Sequence, residues 1–93
     1  MNDFPFVQTR LSENRALRTF TKDVEEMDLV WHMDKEDRLI TVLESDCWML
    51  QLDNELPIIL EVDKRYYIPK MTYHRVIKGF SDLVIEVQFH EPQ

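Results

Sequence analysis

The sequence predicts an antiparallel all-β barrel, and three observations carry that expectation. Short apolar runs alternate with turn residues at intervals of roughly ten residues. Helix signals are scarce. The segment Leu83 to Phe89 alternates cleanly, with Leu83, Ile85, Val87 and Phe89 on one face and Val84, Glu86 and Gln88 on the other. Strands are expected at about 4–9, 15–21, 28–34, 38–43, 47–52, 56–62, 65–68, 74–78 and 82–89. Asp53-Asn54 suits a hairpin turn, because both side chains bond their own backbone and tolerate positive φ. A short helix competes with a strand at Ser12-Glu13-Asn14-Arg15-Ala16-Leu17-Arg18, where a possible N-cap precedes good helix formers.

Ninety-three residues suffice for one small core, and no repeat, low-complexity tract or linker divides the chain, so residues 1–93 read as a single domain. The first few residues and Glu91-Pro92-Gln93 are expected to fray. The hydrophobic share of 44% is ordinary for a globular chain, and the charged share of 31% belongs on its surface. Acidic residues outnumber basic ones by 18 to 11, for a formal charge of -7, and no segment clusters Lys and Arg. That balance disfavours nucleic acid and anionic membrane as partners. The longest apolar runs, such as Leu56 to Leu60, are too short to span a bilayer, and the N-terminus lacks a basic region followed by an apolar one. Cys47 is the sole cysteine, so an intrachain disulfide is excluded; beside Trp48 and Met49 it reads as a buried structural thiol in a reducing compartment, the cytoplasm. A single glycine, Gly79, excludes any motif that needs several, and neither a Cys-x-x-Cys pair nor a Ser-His-Asp pattern is present.

Between His32 and His74 the spacing follows two motifs. The first reads His32-Met33-Asp34-Lys35-Glu36-Asp37-Arg38 and continues through Val42-Leu43-Glu44 to Ser45. The second reads Asp63-Lys64-Arg65-Tyr66-Tyr67-Ile68-Pro69-Lys70-Met71-Thr72-Tyr73-His74. Together they resemble the signatures of the cupin superfamily, Gly-x5-His-x-His-x3-Glu-x6-Gly and Gly-x5-Pro-x-Gly-x2-His. The resemblance implies a double-stranded β-helix, or jelly-roll barrel, with His32 and His74 at two of the four metal-ligand positions. Asp34 stands at the second histidine position and Arg38 at the glutamate position, while Ser45, Asp63 and Met71 replace motif glycines. Cupins host enzymes, storage proteins, sensors and binding modules, so membership assigns no single activity.

On the expected strand, His32 and Asp34 project from one face. A turn at Lys35-Glu36-Asp37 brings Arg38 opposite Asp34 and puts Arg38 and Ile40 on that same lumen face. His74 faces them across the lumen in the resembled family. Two neutral imidazoles and a carboxylate, from His32, Asp34 and His74, make an acceptable set for a divalent ion such as Fe, Mn, Ni or Zn. Arg38 opposes that reading, since a permanent cation repels a metal and competes for Asp34. Three readings stand open: a metal on the three ligands, an Asp34–Arg38 ion pair beside two hydrogen-bonded histidines, or an organic anion held by Arg38 with the histidines. The function expected is binding of a small molecule, anionic or neutral, in the lumen, with or without a metal. A metal-dependent enzyme and a non-catalytic dimeric interaction domain are the alternatives.

Other residues carry weaker signals. Glu36 and Asp37 read as solvated turn residues, with a swing of Glu36 toward the barrel mouth as the alternative, His90 as uninvolved, and Tyr66, Tyr67 and Tyr73 as core packing with a lining role in reserve. Trp31, Met33, Leu39, Thr41 and Leu43 fall on the face opposite the lumen. So apolar an outer face needs a cover, either the N-terminal strand with Phe4, Phe6 and Val7 or a second subunit, and a homodimer is expected.

Overall fold

The structure, a computed structural model, describes residues 4–90; the terminal residues 1–3 and 91–93, where fraying is expected, lie outside the described residues. Among the described residues eight strands form: β1 (Val7–Ser12), β2 (Arg15–Phe20), β3 (Asp37–Glu44), β4 (Met49–Leu52), β5 (Ile58–Ile59), β6 (Arg65–Ile68), β7 (His74–Ile77) and β8 (Leu83–His90). A five-stranded sheet has the order β1-β2-β8-β3-β6 and a three-stranded sheet the order β5-β4-β7. Every pairing is antiparallel. The described residues are all-β, with one 3₁₀ turn at Glu26–Asp28.

Alternation builds the core. Leu83, Ile85 and Val87 of β8 and Ile40 and Val42 of β3 point inward, where they meet Trp48 and Leu50 from the smaller sheet. Val42, Trp48 and Leu83 are fully buried, and each such side chain contributes about 1.5–3 kcal/mol through its burial. The Trp48 indole N–H donates to the Ser81 carbonyl at 2.7 Å, so the largest core residue leaves no buried donor unpaired. Gly79 permits the close approach behind it. A Cβ there would strike the carbonyl oxygen of Asp46 and lie 2.6 Å from both the Trp48 amide nitrogen and its Cδ1.

Several expectations are corrected. Residues 28–34 are not a strand. Leu29 N–H closes the 3₁₀ turn on Glu26 O, and the remainder pairs with the sheet only through a bridge between His32 and His74. The β propensity of Leu29-Val30-Trp31 is overridden because no neighbour offers a longer ladder. The segment at 56–62 shortens to the two residues of β5. The competing helix at 12–18 does not form: the Ser12 hydroxyl donates to Asn14 Oδ1 at 3.2 Å in a turn, and β2 follows. Cys47 is exposed, not buried; its positive φ of 63° just before β4 turns the thiol outward while Trp48 goes in. The N-terminal strand does not cover the outer face of β3, since β1 extends the edge beside β2 and Phe6 packs against the core. Tyr67 and Tyr73 are exposed at 55% and 48%, not packed in the core.

Candidate functional site

The residues singled out by the motifs converge at one end of the core. His74 opens β7, where its backbone exchanges two hydrogen bonds with His32, at 3.0 and 2.8 Å. The ring centroids of the two histidines are 4.3 Å apart. The loop before His74 is pinned to the first motif by Lys70 N–H donating to Asp37 Oδ1 at 2.8 Å and Met71 N–H donating to Asp34 O at 2.7 Å. Met71 there has a φ of 57° and Asp63 a φ of 68°, so two of the three motif-glycine positions keep the left-handed backbone that glycine would favour.

Arg38, the second residue of β3, lies on the same face as Ile40 and Val42. Its Nη2 forms an ion pair with Asp34 Oδ1 at 3.1 Å and donates to Glu36 Oε1 at 2.7 Å, and Nε also donates to Glu36 at 3.2 Å. The Asp34–Arg38 pair expected from the sequence is present. Glu36 is a partner in it and not a solvated bystander; the turn folds its carboxylate back over the guanidinium. His90 ends β8 opposite Asp37, where it is exposed and is not one of the clustered ligand residues.

The second oxygen of Asp34 has a different environment. Oδ2 is buried and accepts no hydrogen bond, although His74 Nε2 lies 3.3 Å away. The tautomers explain this. His74 Nδ1 sits 2.9 Å from Thr72 O and His32 Nδ1 sits 3.0 Å from Val30 O. A carbonyl only accepts, so each Nδ1 carries the hydrogen, and in the neutral ring Nε2 is left with a lone pair. Nε2 of His74 then faces Oδ2 lone pair to lone pair, an arrangement that calls for a proton or a cation between them. Ligand atoms of His32, Asp34 and His74 all lie within 4.8 Å of one another, a group that can hold a metal ion. Burial alone would raise the Asp34 carboxyl; a proton on His74 Nε2 bonding Oδ2, together with the charges of Arg38 and the imidazoles, outweighs it and holds the group below its usual range. Although His32 retains solvent access, desolvation around its ring is the largest influence and pulls it below the ordinary imidazole value, against the bond to Val30.

These side chains line a cavity of about 390 Å³ whose other walls are mainly apolar, among them Phe6, Phe20 and Leu50. None of the three tyrosines lines it. Tyr66 is structural, its hydroxyl accepting from Glu61 N–H at 2.8 Å and donating to Ile59 O at 3.1 Å. Sequence reasoning missed Arg18, which also lines the cavity. The signal was a charge on the same alternation as Ala16 and Phe20.

No protein-family profile matches the chain, and no curated protein is significantly similar to it. Solved structures are. A cupin domain from Bordetella pertussis Tohama I is 16% identical with a TM-score of 0.66, covering 97% of this chain and 98% of that one. A structure of the DMSP lyases RdDddP and RnDddQII is 15% identical with a TM-score of 0.68 over 85% of this chain. FeII HppE is 12% identical with a TM-score of 0.65 over 82% of this chain. The chain spans 43% and 41% of the length of those last two. At such identities the likeness establishes the fold and leaves activity to be argued from the site. From the paired sheets, the two spaced motifs and these neighbours together, the chain has a cupin-like fold.

Proposed function

We propose that residues 1–93 form one cupin-like domain that binds a small molecule in its lumen, beside a divalent metal held by His32, Asp34 and His74. The single observation that carries this reading is the buried Asp34 Oδ2, which lacks a hydrogen-bond donor and faces His74 Nε2 at 3.3 Å. Arg38 occupies only Oδ1, so its ion pair and a cation on Oδ2 are compatible. The pair also spreads the arginine's charge over two carboxylates, which weakens its repulsion of a metal. A metal there would supply Lewis acidity and coordination for a ligand atom. This chain's own part is to hold both imidazoles in the Nδ1–H tautomer, to fix Asp34 through Arg38, and to offer a mostly apolar chamber. Fe, Mn, Ni and Zn all accept such donors, and one solved structure similar in fold is that of FeII HppE. The reading extends to a cytoplasmic homodimer: Cys47 is free and exposed, and Leu43 on the outer face of β3 is 45% exposed with no described strand across it, whereas Trp31, expected on that face, lies beside β7 with Arg75 4.8 Å from its ring.

Calorimetric titration of tag-free protein with Mn²⁺ or Ni²⁺ tests the metal. The expected result is about one equivalent bound, abolished in His74→Ala, and at least tenfold tighter binding in Arg38→Glu, worth about 1.4 kcal/mol or more. No binding by wild type, with binding gained in Arg38→Glu, would show that Arg38 keeps the cation out and leave a metal-free ligand cavity. No binding by either protein would overturn the metal altogether.

A further inference from the structure

Arg18 is a charged residue in an apolar row. On β2, Ala16, Arg18 and Phe20 lie opposite Val87, Ile85 and Leu83 of β8. Its five companions are all buried, at 6% exposure or less. The strand's period of two therefore aims Arg18 inward, where it lines the same cavity as His32, Asp34 and His74. Its guanidinium lies over the Phe6 ring, 4.2 Å from the centroid, and 5.5 Å from that of Phe89. Nε donates to the Gln8 side-chain carbonyl at 2.7 Å, a neutral acceptor.

What Arg18 lacks is a counter-ion. Arg38, which stacks 4.9 Å from the same Phe89 ring, is paired with Asp34 and Glu36. Among the described residues no carboxylate lies within ion-pair distance of Arg18, and its two Nη groups have no hydrogen-bond partner. Asp28 also lines the cavity but forms no such pair. Burial, and then the charge of Arg38, lower the Arg18 pKa to about 10, against the smaller opposing influence of Asp34 and Glu36. Even so, the group remains a cation at neutral pH, partly desolvated and with unused donors, on the wall of a mainly apolar chamber. An unpaired charge in such a place is costly unless something pairs it.

We propose that Arg18 is the anion-binding group of this cavity and takes the carboxylate of a small organic acid whose apolar body rests against Phe20, Leu50 and Val87. A carboxylate accepts two parallel N–H bonds from a guanidinium fork, and the rings of Phe6 and Phe89 hold the fork's plane. This assignment displaces Arg38, already paired, from the anion-binding role. It rests on the reading of the cavity as a small-molecule site and is independent of whether a metal binds.

Benzoate and its neutral analogue benzamide are suitable probes, titrated by calorimetry without added metal. Wild type is expected to bind benzoate at least tenfold tighter than benzamide. Arg18→Gln removes that preference by weakening benzoate and leaving benzamide unchanged, whereas Arg18→Lys keeps part of it. In the wild type, the Arg18 side-chain Nε NMR signal moves on adding benzoate and stays in place with benzamide, which decides the matter should the variants fail to fold. Equal affinity for both probes, or a benzoate complex that leaves the Nε signal unmoved, overturns the Arg18 assignment while the cavity reading stands. Binding of neither probe overturns both.

Discussion

At the scale of single residues, Asp34 owes its two environments to its position between motifs. Oδ1 receives Arg38 at 3.1 Å, and Oδ2 is left toward His74. That Asp34 and Arg38 would meet was legible in the sequence, because four residues across a tight turn bring them together. The role of Glu36 was not, since nothing in a turn sequence says whether a carboxylate folds inward or faces water. Arg18 was hidden for another reason: a competing helix over 12–18 obscured the alternation that puts it between Ala16 and Phe20. The substituted glycine positions give a test of local strain. Met71 holds a φ of 57°, which costs a residue with a Cβ about 1–2 kcal/mol, while glycine would cost about 0.5–1 kcal/mol in chain entropy. Urea unfolding should find Met71→Gly equal to wild type or up to about 1 kcal/mol more stable, and Met71→Val, β-branched, less stable by about 1 kcal/mol or more. A stabilising valine would show that the backbone there is not what the loop depends on.

At the scale of elements, strands with a complete neighbour on both sides were the readable ones. β8 lies between β2 and β3, and its alternation of Leu83, Ile85 and Val87 against Val84 and Glu86 survives unchanged. The failures lie where pairing runs out. Residues 28–34 have one bridge, and β5 has a two-residue ladder with β4, so propensity there had no partner to act through. Loop geometry was equally opaque. Gly79 has no positive φ, and its need is purely one of space against Asp46 and Trp48. Because the atoms it would strike are largely backbone, they cannot swing aside. Gly79→Ala is expected to cost about 2 kcal/mol, in the range of overpacked cores, and to lower the melting temperature of a domain this size by about 10 °C. Unchanged thermal unfolding would mean that the 78–82 loop moves freely away from Trp48.

At the scale of the whole molecule, the fold was legible from spacing and motif together, while association was legible only as an unmet need. Among the described residues no helix is long and apolar enough to cross a membrane. The outer face of β3 presents Leu43 uncovered, and the proposed two-fold dimer should sediment at twice the 11.3 kDa chain mass. A monomer at high micromolar concentration would contradict the dimer without touching the site. The site is where the account stands or falls, and histidine side-chain NMR reads it directly. In ¹⁵N-labelled, tag-free protein, long-range ¹H–¹⁵N spectra should show His32 and His74 both as Nδ1–H tautomers. One equivalent of Zn²⁺ should then shift the Nε2 signals of these two residues and leave His90 unmoved. Nε2 signals of His32 and His74 that stay in place with stoichiometric zinc, or a response confined to His90, would contradict the claim that His32, Asp34 and His74 form a metal-holding cluster.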